Sequence, residues 1–206
     1  MEGGGSVTPD DATGGAGGAD QAAGPHGVVV FMTGLSGAGK STIAEALLAE
    51  LEAAGQPATI LDGDVLRALD ATSLGFDQAS RERQIQRAAD LAAGYAADGQ
   101  VVIAALIAPF DAARKRARAT VEPVAPFVLA WVRTPLEVAE ARDPKGLYRK
   151  VRAGEIAEFT GISSPFEEPE DAEVVIETTA TPVSEAVTMI RAAIESAREA
   201  RRAPAS

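Results

Sequence analysis

From residue 28 onward the chain alternates two kinds of hydrophobic pattern. Short runs at 28–33, 58–61, 101–107, 127–132 and 173–177 are apolar at nearly every position. Between them lie longer stretches near 40–54, 79–98, 111–120, 135–141, 146–153 and 182–201, where apolar residues recur every three or four positions. The first pattern predicts strands covered on both faces, as in a parallel sheet, and the second predicts helices that bury one stripe. Together they predict one α/β domain over residues 27–198, a three-layer α/β/α arrangement with a mainly parallel central sheet. Residues 199–206 read as a short C-terminal tail. Residues 1–26 are Gly, Ala and Asp with almost no large apolar side chain, so they read as a disordered tail that cannot offset the entropy of ordering.

The junction of the first strand and the first helix carries the clearest chemistry. Gly34-Leu35-Ser36-Gly37-Ala38-Gly39-Lys40-Ser41 is a complete GxxxxGK[ST] loop, preceded by an apolar strand and followed by Thr42-Ile43-Ala44-Glu45. Glycines let successive backbone N–H groups curl around phosphate oxygens, and the helix N-terminus adds partial positive charge. Lys40 is suited to the outer phosphates and the Ser41 hydroxyl to Mg²⁺. The loop predicts a P-loop protein that binds a nucleoside triphosphate. Its candidate contacts are Gly34, Ser36, Gly37, Ala38, Gly39, Lys40, Ser41 and Thr42.

Composition narrows the chemistry further. Cysteine is absent and the single histidine, His26, lies in the Gly-rich tail, so a catalytic base has to be a carboxylate. A net charge of −11 argues against non-specific nucleic-acid binding. No apolar run reaches about 18 residues, and no basic segment leads into an apolar one at the start, so neither a membrane span nor a secretory signal is expected. A cytoplasmic location is the resulting expectation. The cations gather at Arg81, Arg83 and Arg87, at 114–118 and at 142–152, which suits solvated helix faces and also a site for anionic nucleotides.

A P-loop enzyme takes a metal-linked carboxylate from the end of a neighbouring strand. The run at 101–107 offers no acid until Asp111, whereas the run at 58–61 ends in Asp62-Gly63-Asp64. One of these carboxylates can take the proton of an attacking hydroxyl while the other orients Mg²⁺ or water. Asp64 also fits a helix N-cap before Val65-Leu66-Arg67. Lys40, Asp62 and Asp64 are the catalytic candidates, and Ser41 with Asp62 the metal candidates.

Beyond this point the sequence resembles a particular family. Asp62-Gly63-Asp64-x-x-Arg67, Leu74-Gly75-Phe76 and Arg81, Ile85 and Arg87 look like the acceptor segment of adenylylsulfate kinases. Thr134-Pro135-Leu136-Glu137-Val138, Arg142-Asp143-Pro144-Lys145-Gly146-Leu147-Tyr148, Ala153-Gly154-Glu155-Ile156 and Phe159-Thr160-Gly161-Ile162 are similar to that family's lid. The resemblance spans about residues 27–195 and implies transfer of the γ-phosphate of MgATP to the 3′-hydroxyl of adenosine 5′-phosphosulfate. It implies that Phe76 and Phe159 sandwich the acceptor adenine and that Arg67 and Arg81 hold its phosphosulfate. Gln84, Ile107, Lys145, Gly146 and Leu147 would complete the acceptor site, and Arg142 would serve ATP. Phe76 and Phe159 could alternatively be core residues. Small-molecule nucleotides are the implied partners, with no nucleic acid or membrane, and a homodimer follows from the resemblance alone.

Departures from the family pattern lie on the acceptor side. Val65 replaces Asn, Gln84 replaces Asn, Gln86 replaces Arg, and Ala108-Pro109-Phe110-Asp111 stands for Ser-Pro-Tyr-Arg. Changes of this kind can redirect specificity. A paralogous kinase for another nucleotide-like acceptor is therefore the alternative. A catalytically weak regulatory subunit is a further one, against which the retention of Lys40, Ser41, Asp62 and Asp64 argues.

Overall fold

The computed structural model describes residues 27–63, 66 and 78–203. Five strands form one parallel sheet: β1 Val28–Thr33, β2 Ala58–Asp62, β3 Val101–Ala105, β4 Phe127–Arg133 and β5 Val174–Glu177, in the order β2-β3-β1-β4-β5. Six described helices accompany them: α1 Lys40–Ala53, α2 Gln78–Ala97, α3 Asp111–Val121, α4 Leu136–Arg142, α5 Leu147–Arg152 and α6 Val183–Arg202. β1 is central, pairing with β3 from Val28 opposite Val101 and with β4 from Val29 opposite Phe127. Every residue of β1 and β3 is buried, which is why these strands read as unbroken apolar runs.

Alternate side chains of the same strands feed two separate cores. Val28, Val30 and Met32 pack with the α1 stripe Ile43, Ala44, Leu47 and Leu51 and with the α6 stripe Ala186, Val187, Ile190 and Ile194. Val29 and Phe31 face the opposite layer, meeting Ile85, Ala88 and Ala92 of α2 and Ala113 and Ala117 of α3. Burying one side chain such as Leu47 completely is worth about 1.5–3 kcal/mol. The three-layer expectation holds, and all the described strand pairs are parallel.

One strand is shorter than its apolar run predicts. β3 ends at Ala105 rather than at 107, because the next two residues leave β2 and turn across the end of β1. The Leu106 N–H donates to the Met32 carbonyl at 3.1 Å, and the Ile107 carbonyl accepts the Thr33 hydroxyl at 2.7 Å and the Gly34 N–H at 3.3 Å. Ala108 then takes a positive φ of 41°. Hydrophobicity persists through the turn, so pattern alone could not locate it.

A third, smaller cluster lies beyond the carboxyl ends of the strands, where Ala139, Tyr148 and Phe159 pack with Leu35, Leu136, Leu147, Val151, Ile156 and Ile162. It ties α4, α5 and the 156–162 segment to the loop after β1. No helix among the described residues is long and apolar enough to cross a membrane.

Candidate active site

The turn between β1 and α1 is shaped by two glycines whose backbone no other residue could adopt without displacement. Gly34 has φ +148°, and a Cβ there would lie 2.4 Å from the Val132 carbonyl oxygen. Gly37 has φ +74°, and its Cβ would lie 2.7 Å from the Ala139 carbonyl oxygen. The loop is therefore seated directly on β4 and α4. Lys40 folds back over it, its Nζ donating to the carbonyls of Gly34 at 2.9 Å and Leu35 at 2.8 Å. At the end of β2, Asp62 lies opposite Ala105 in the sheet register, and its Oδ2 accepts the Ser41 hydroxyl at 3.1 Å.

Behind the loop, successive carbonyls are held by side chains from the other elements. The Tyr148 hydroxyl donates to the Ser36 carbonyl at 3.0 Å. Arg142 Nη1 lies 3.4 Å from the Gly37 carbonyl and 3.3 Å from that of Ala38, which also accepts the Thr134 hydroxyl at 3.2 Å. Arg142 reaches on to the Thr178 hydroxyl at 3.3 Å, and Thr178 in turn bonds the Thr134 hydroxyl. Burial, with smaller contributions from Glu140 and Asp143, pushes the Tyr148 hydroxyl up to about 12, so it stays a donor at neutral pH.

Asp143 fixes where Tyr148 sits. Its carboxylate accepts the N–H groups of Tyr148 and Arg149, each at 3.1 Å, and so caps the first turn of α5. Burial opposes the charge on Asp143. The N–H groups of Arg149, Tyr148 and Leu147 outweigh it and hold the carboxyl below its usual range.

A cleft of about 590 Å³ opens in front of the loop. Of the residues singled out for ATP, Ser36, Gly37, Ala38, Gly39, Lys40, Ser41, Thr42 and Arg142 line it. Gly34 does not: it shapes the loop from beneath. Of the acceptor candidates, Arg81, Gln84, Ile107, Lys145, Leu147 and Phe159 line the same cleft, as does Asp62. Gly146 is not on the wall but takes φ 64° at the N-cap of α5. Asp64, Arg67 and Phe76 lie outside the described residues, as does the expected tail at 1–26. The tail expected at 199–206 starts later than its composition suggests: α6 continues through Arg202, and only 204–206 fall outside the described residues.

The acceptor side is cross-braced. Arg81 on α2 donates to the Glu158 carbonyl at 2.8 Å and approaches the hydroxyls of Thr160 and Ser164 at 3.5 and 3.4 Å. Phe159 meets Tyr148 edge-to-face, with centroids 4.9 Å apart at 74°. Only 8% of Phe159 is exposed, so it is a cleft-lining residue and a core residue at once.

The departures noted in the sequence separate here. Gln84 and Ala108 line the cleft, whereas Asp111 does not. Asp111 opens α3, where its carboxylate pairs with Lys115 at 2.8 Å and Arg114 at 3.7 Å. Its charge is thus answered locally. Arg114 is almost wholly buried beneath the turn and donates to the Ala108 carbonyl at 2.9 Å. Burial lowers its pKa, against the raising influence of Asp111, Asp171 and Glu167.

Thr178, Thr181 and Val183 were not anticipated, and Thr134 was expected only within the lid resemblance, not as a site residue. The first three line the cleft and Thr134 supports it. Motif spacing gives no sign of Thr178, Thr181 or Val183. The rule that ligands gather at the carboxyl ends of parallel strands would have pointed to Thr134 and Thr178, the residues just beyond β4 and β5.

A family model described as adenylylsulphate kinase matches residues 26–177. The adenylyl-sulfate kinase of Paraburkholderia xenovorans (strain LB400) is 52% identical over 162 residues, covering 79% of this chain and 89% of that relative. That of Synechococcus sp. (strain JA-3-3Ab) is 40% identical over 173 residues, covering 84% and 97%. Among solved structures, an APS kinase of Mycobacterium tuberculosis in complex with AMPPNP and APS superposes with a TM-score of 0.80 at 36% identity, covering 84% of this chain and 99% of the other.

Proposed function

The chain belongs to the adenylylsulphate kinase family, and on that premise we propose that it transfers the γ-phosphate of ATP to the 3′-hydroxyl of adenosine 5′-phosphosulfate. The observation that carries this is the shared cleft, whose wall holds both the phosphate loop and Arg81, Gln84, Lys145 and Phe159. Its volume falls within the range of about 300–1,000 Å³ usual for small-molecule clefts.

In the reaction the acceptor oxygen bonds to the γ-phosphorus as the bond to the β–γ bridging oxygen breaks, and ADP leaves. Positioning and electrostatics carry most of the catalysis. Lys40, whose Nζ rests on the loop carbonyls of Gly34 and Leu35, can swing its charge to the β- and γ-phosphates. Arg81 and Lys145 supply cations for the acceptor's anionic groups, and the Phe159 ring offers an apolar contact for its base.

Ser41 and Asp62 fit a Mg²⁺ ion, which takes oxygen ligands and is held by one or two carboxylates together with substrate phosphates. Bound there, the ion would neutralise charge on the transferred phosphate. Asp62, supported by Asp64 of the same Asp62-Gly63-Asp64 motif, is the carboxylate proposed to take the hydroxyl proton or link to the metal. A cytoplasmic location and a homodimer enter on the family likeness alone.

The purified chain should release ADP from MgATP only when adenylylsulfate is present, with a 3′-phosphorylated product seen by phosphorus NMR. An enzyme that binds ATP but gives no adenylylsulfate-dependent ADP would overturn this. The outcome would favour a kinase for another nucleotide-like acceptor, a reading supported by Gln84 and Ala108 on the cleft wall.

A further inference from the structure

The phosphate loop has a face that substrates never touch. A trans peptide points its C=O and the following N–H in opposite directions. When a loop turns its N–H groups toward phosphate, its carbonyls therefore turn away from the cleft, into protein, where each needs a donor. Whatever holds those carbonyls also aims the amides.

The Ser36 carbonyl is held by the Tyr148 hydroxyl at 3.0 Å in a buried contact. The same peptide unit carries the N–H of Gly37, which lines the cleft. Tyr148 itself is 1% exposed and is not on the cleft wall. Its ring edge meets Phe159, which is on the wall. One side chain, set by the α5 cap at Asp143, thus touches the back of the phosphate loop with its oxygen and the back of the acceptor wall with its ring.

We propose that Tyr148 is a positioning residue with two separable actions: its hydroxyl aims the Ser36–Gly37 peptide toward the phosphates, and its ring sets the plane of Phe159 for the acceptor. This rests on the kinase reading above. A purely structural tyrosine would affect both substrates together through loss of folded protein. Here the two atoms of contact belong to different halves of the cleft, so the kinetic consequences divide.

Tyr148→Phe keeps the ring and removes only the donor. It should weaken binding of a non-hydrolysable ATP analogue, measured by calorimetry without acceptor, by about tenfold, the scale of one buried carbonyl left unsatisfied. The KM for adenylylsulfate should change by less than about twofold, since the ring contact persists. Phe159→Leu should give the converse, an acceptor KM raised about tenfold with analogue binding unchanged. Unaltered analogue binding in a folded Tyr148→Phe protein would overturn the proposal. So would a Phe159→Leu protein that loses analogue affinity as strongly as acceptor affinity, and this arm stands even if Tyr148→Phe fails to fold. The analogue measurements need no acceptor, so a wild-type protein inactive toward adenylylsulfate would count against the kinase reading and leave the hydroxyl's role still open to measurement.

Discussion

The phosphate half of the cleft is built on one contiguous loop, of which residues 36–42 line the wall, whereas the acceptor half collects single side chains from α2, the turn after β3, the 144–147 loop and the 158–160 segment. In the first half the chemistry is supplied largely by backbone, shaped by the conformations of Gly34 and Gly37 and backed by Tyr148, Arg142 and Thr134. In the second it is supplied by side chains whose placement depends on long-range contacts such as Arg81 with Glu158. A loop of this kind is hard to alter piecemeal, because each residue fixes the next. A wall assembled from separate elements can change one residue at a time, and it is where this chain departs from the family pattern. Among the described residues, Gln84 and Ala108 are the departures that reach the cleft.

The largest effect should come from the phosphate half. Lys40→Ala should lower turnover by at least about a hundredfold, roughly 3 kcal/mol for one preorganised electrostatic contact, in a protein of unchanged melting temperature. Near-normal turnover would remove the loop from catalysis. On the other side, Arg81→Ala should raise the acceptor KM by about ten- to a hundredfold, the scale of a charged hydrogen bond, and leave the ATP KM nearly unchanged. Equal increases in both would show that the halves are not independent.

The brace between the halves has a pH signature. The Tyr148 pKa is raised from 10.0 to about 12, so folding favours its protonated form. Its stabilisation is fully present below pH 10 and is lost as pH rises from there through about 12. Thermal melts of wild type and Tyr148→Phe should therefore converge across that window, and a constant difference would contradict the buried donor.

The smallest effects should distinguish Gln84 from Asp111, two of the departures with polar side chains. Gln84→Asn should raise kcat/KM for adenylylsulfate by about two- to fivefold, the scale of one improved hydrogen bond. Asp111→Arg should not raise it, because Asp111 lies off the cleft wall and is paired with Lys115. A gain from Asp111→Arg alone would mean that α3 approaches the acceptor more closely than the Lys115 pairing shows.

By itself the sequence determined the order of the elements, the three-layer arrangement and the place of the glycine loop between β1 and α1. Periodicity reports which faces are buried, and a contiguous glycine loop carries its own geometry, so 28–33 and 34–42 were legible without any partner. Asp62 was legible too, because strand ends are where such carboxylates sit. Only the tertiary structure decided where β3 stops, since the Thr33 hydroxyl that captures the Ile107 carbonyl lies 74 positions away in sequence. It likewise decided that Asp111 faces Lys115 instead of the cleft, that Phe159 is half wall and half core, and that Thr178, Thr181 and Val183 belong to the site. These depend on contacts between residues far apart in the chain. Periodicity and local motifs register the neighbours of a residue along the chain, while packing sets its neighbours in space.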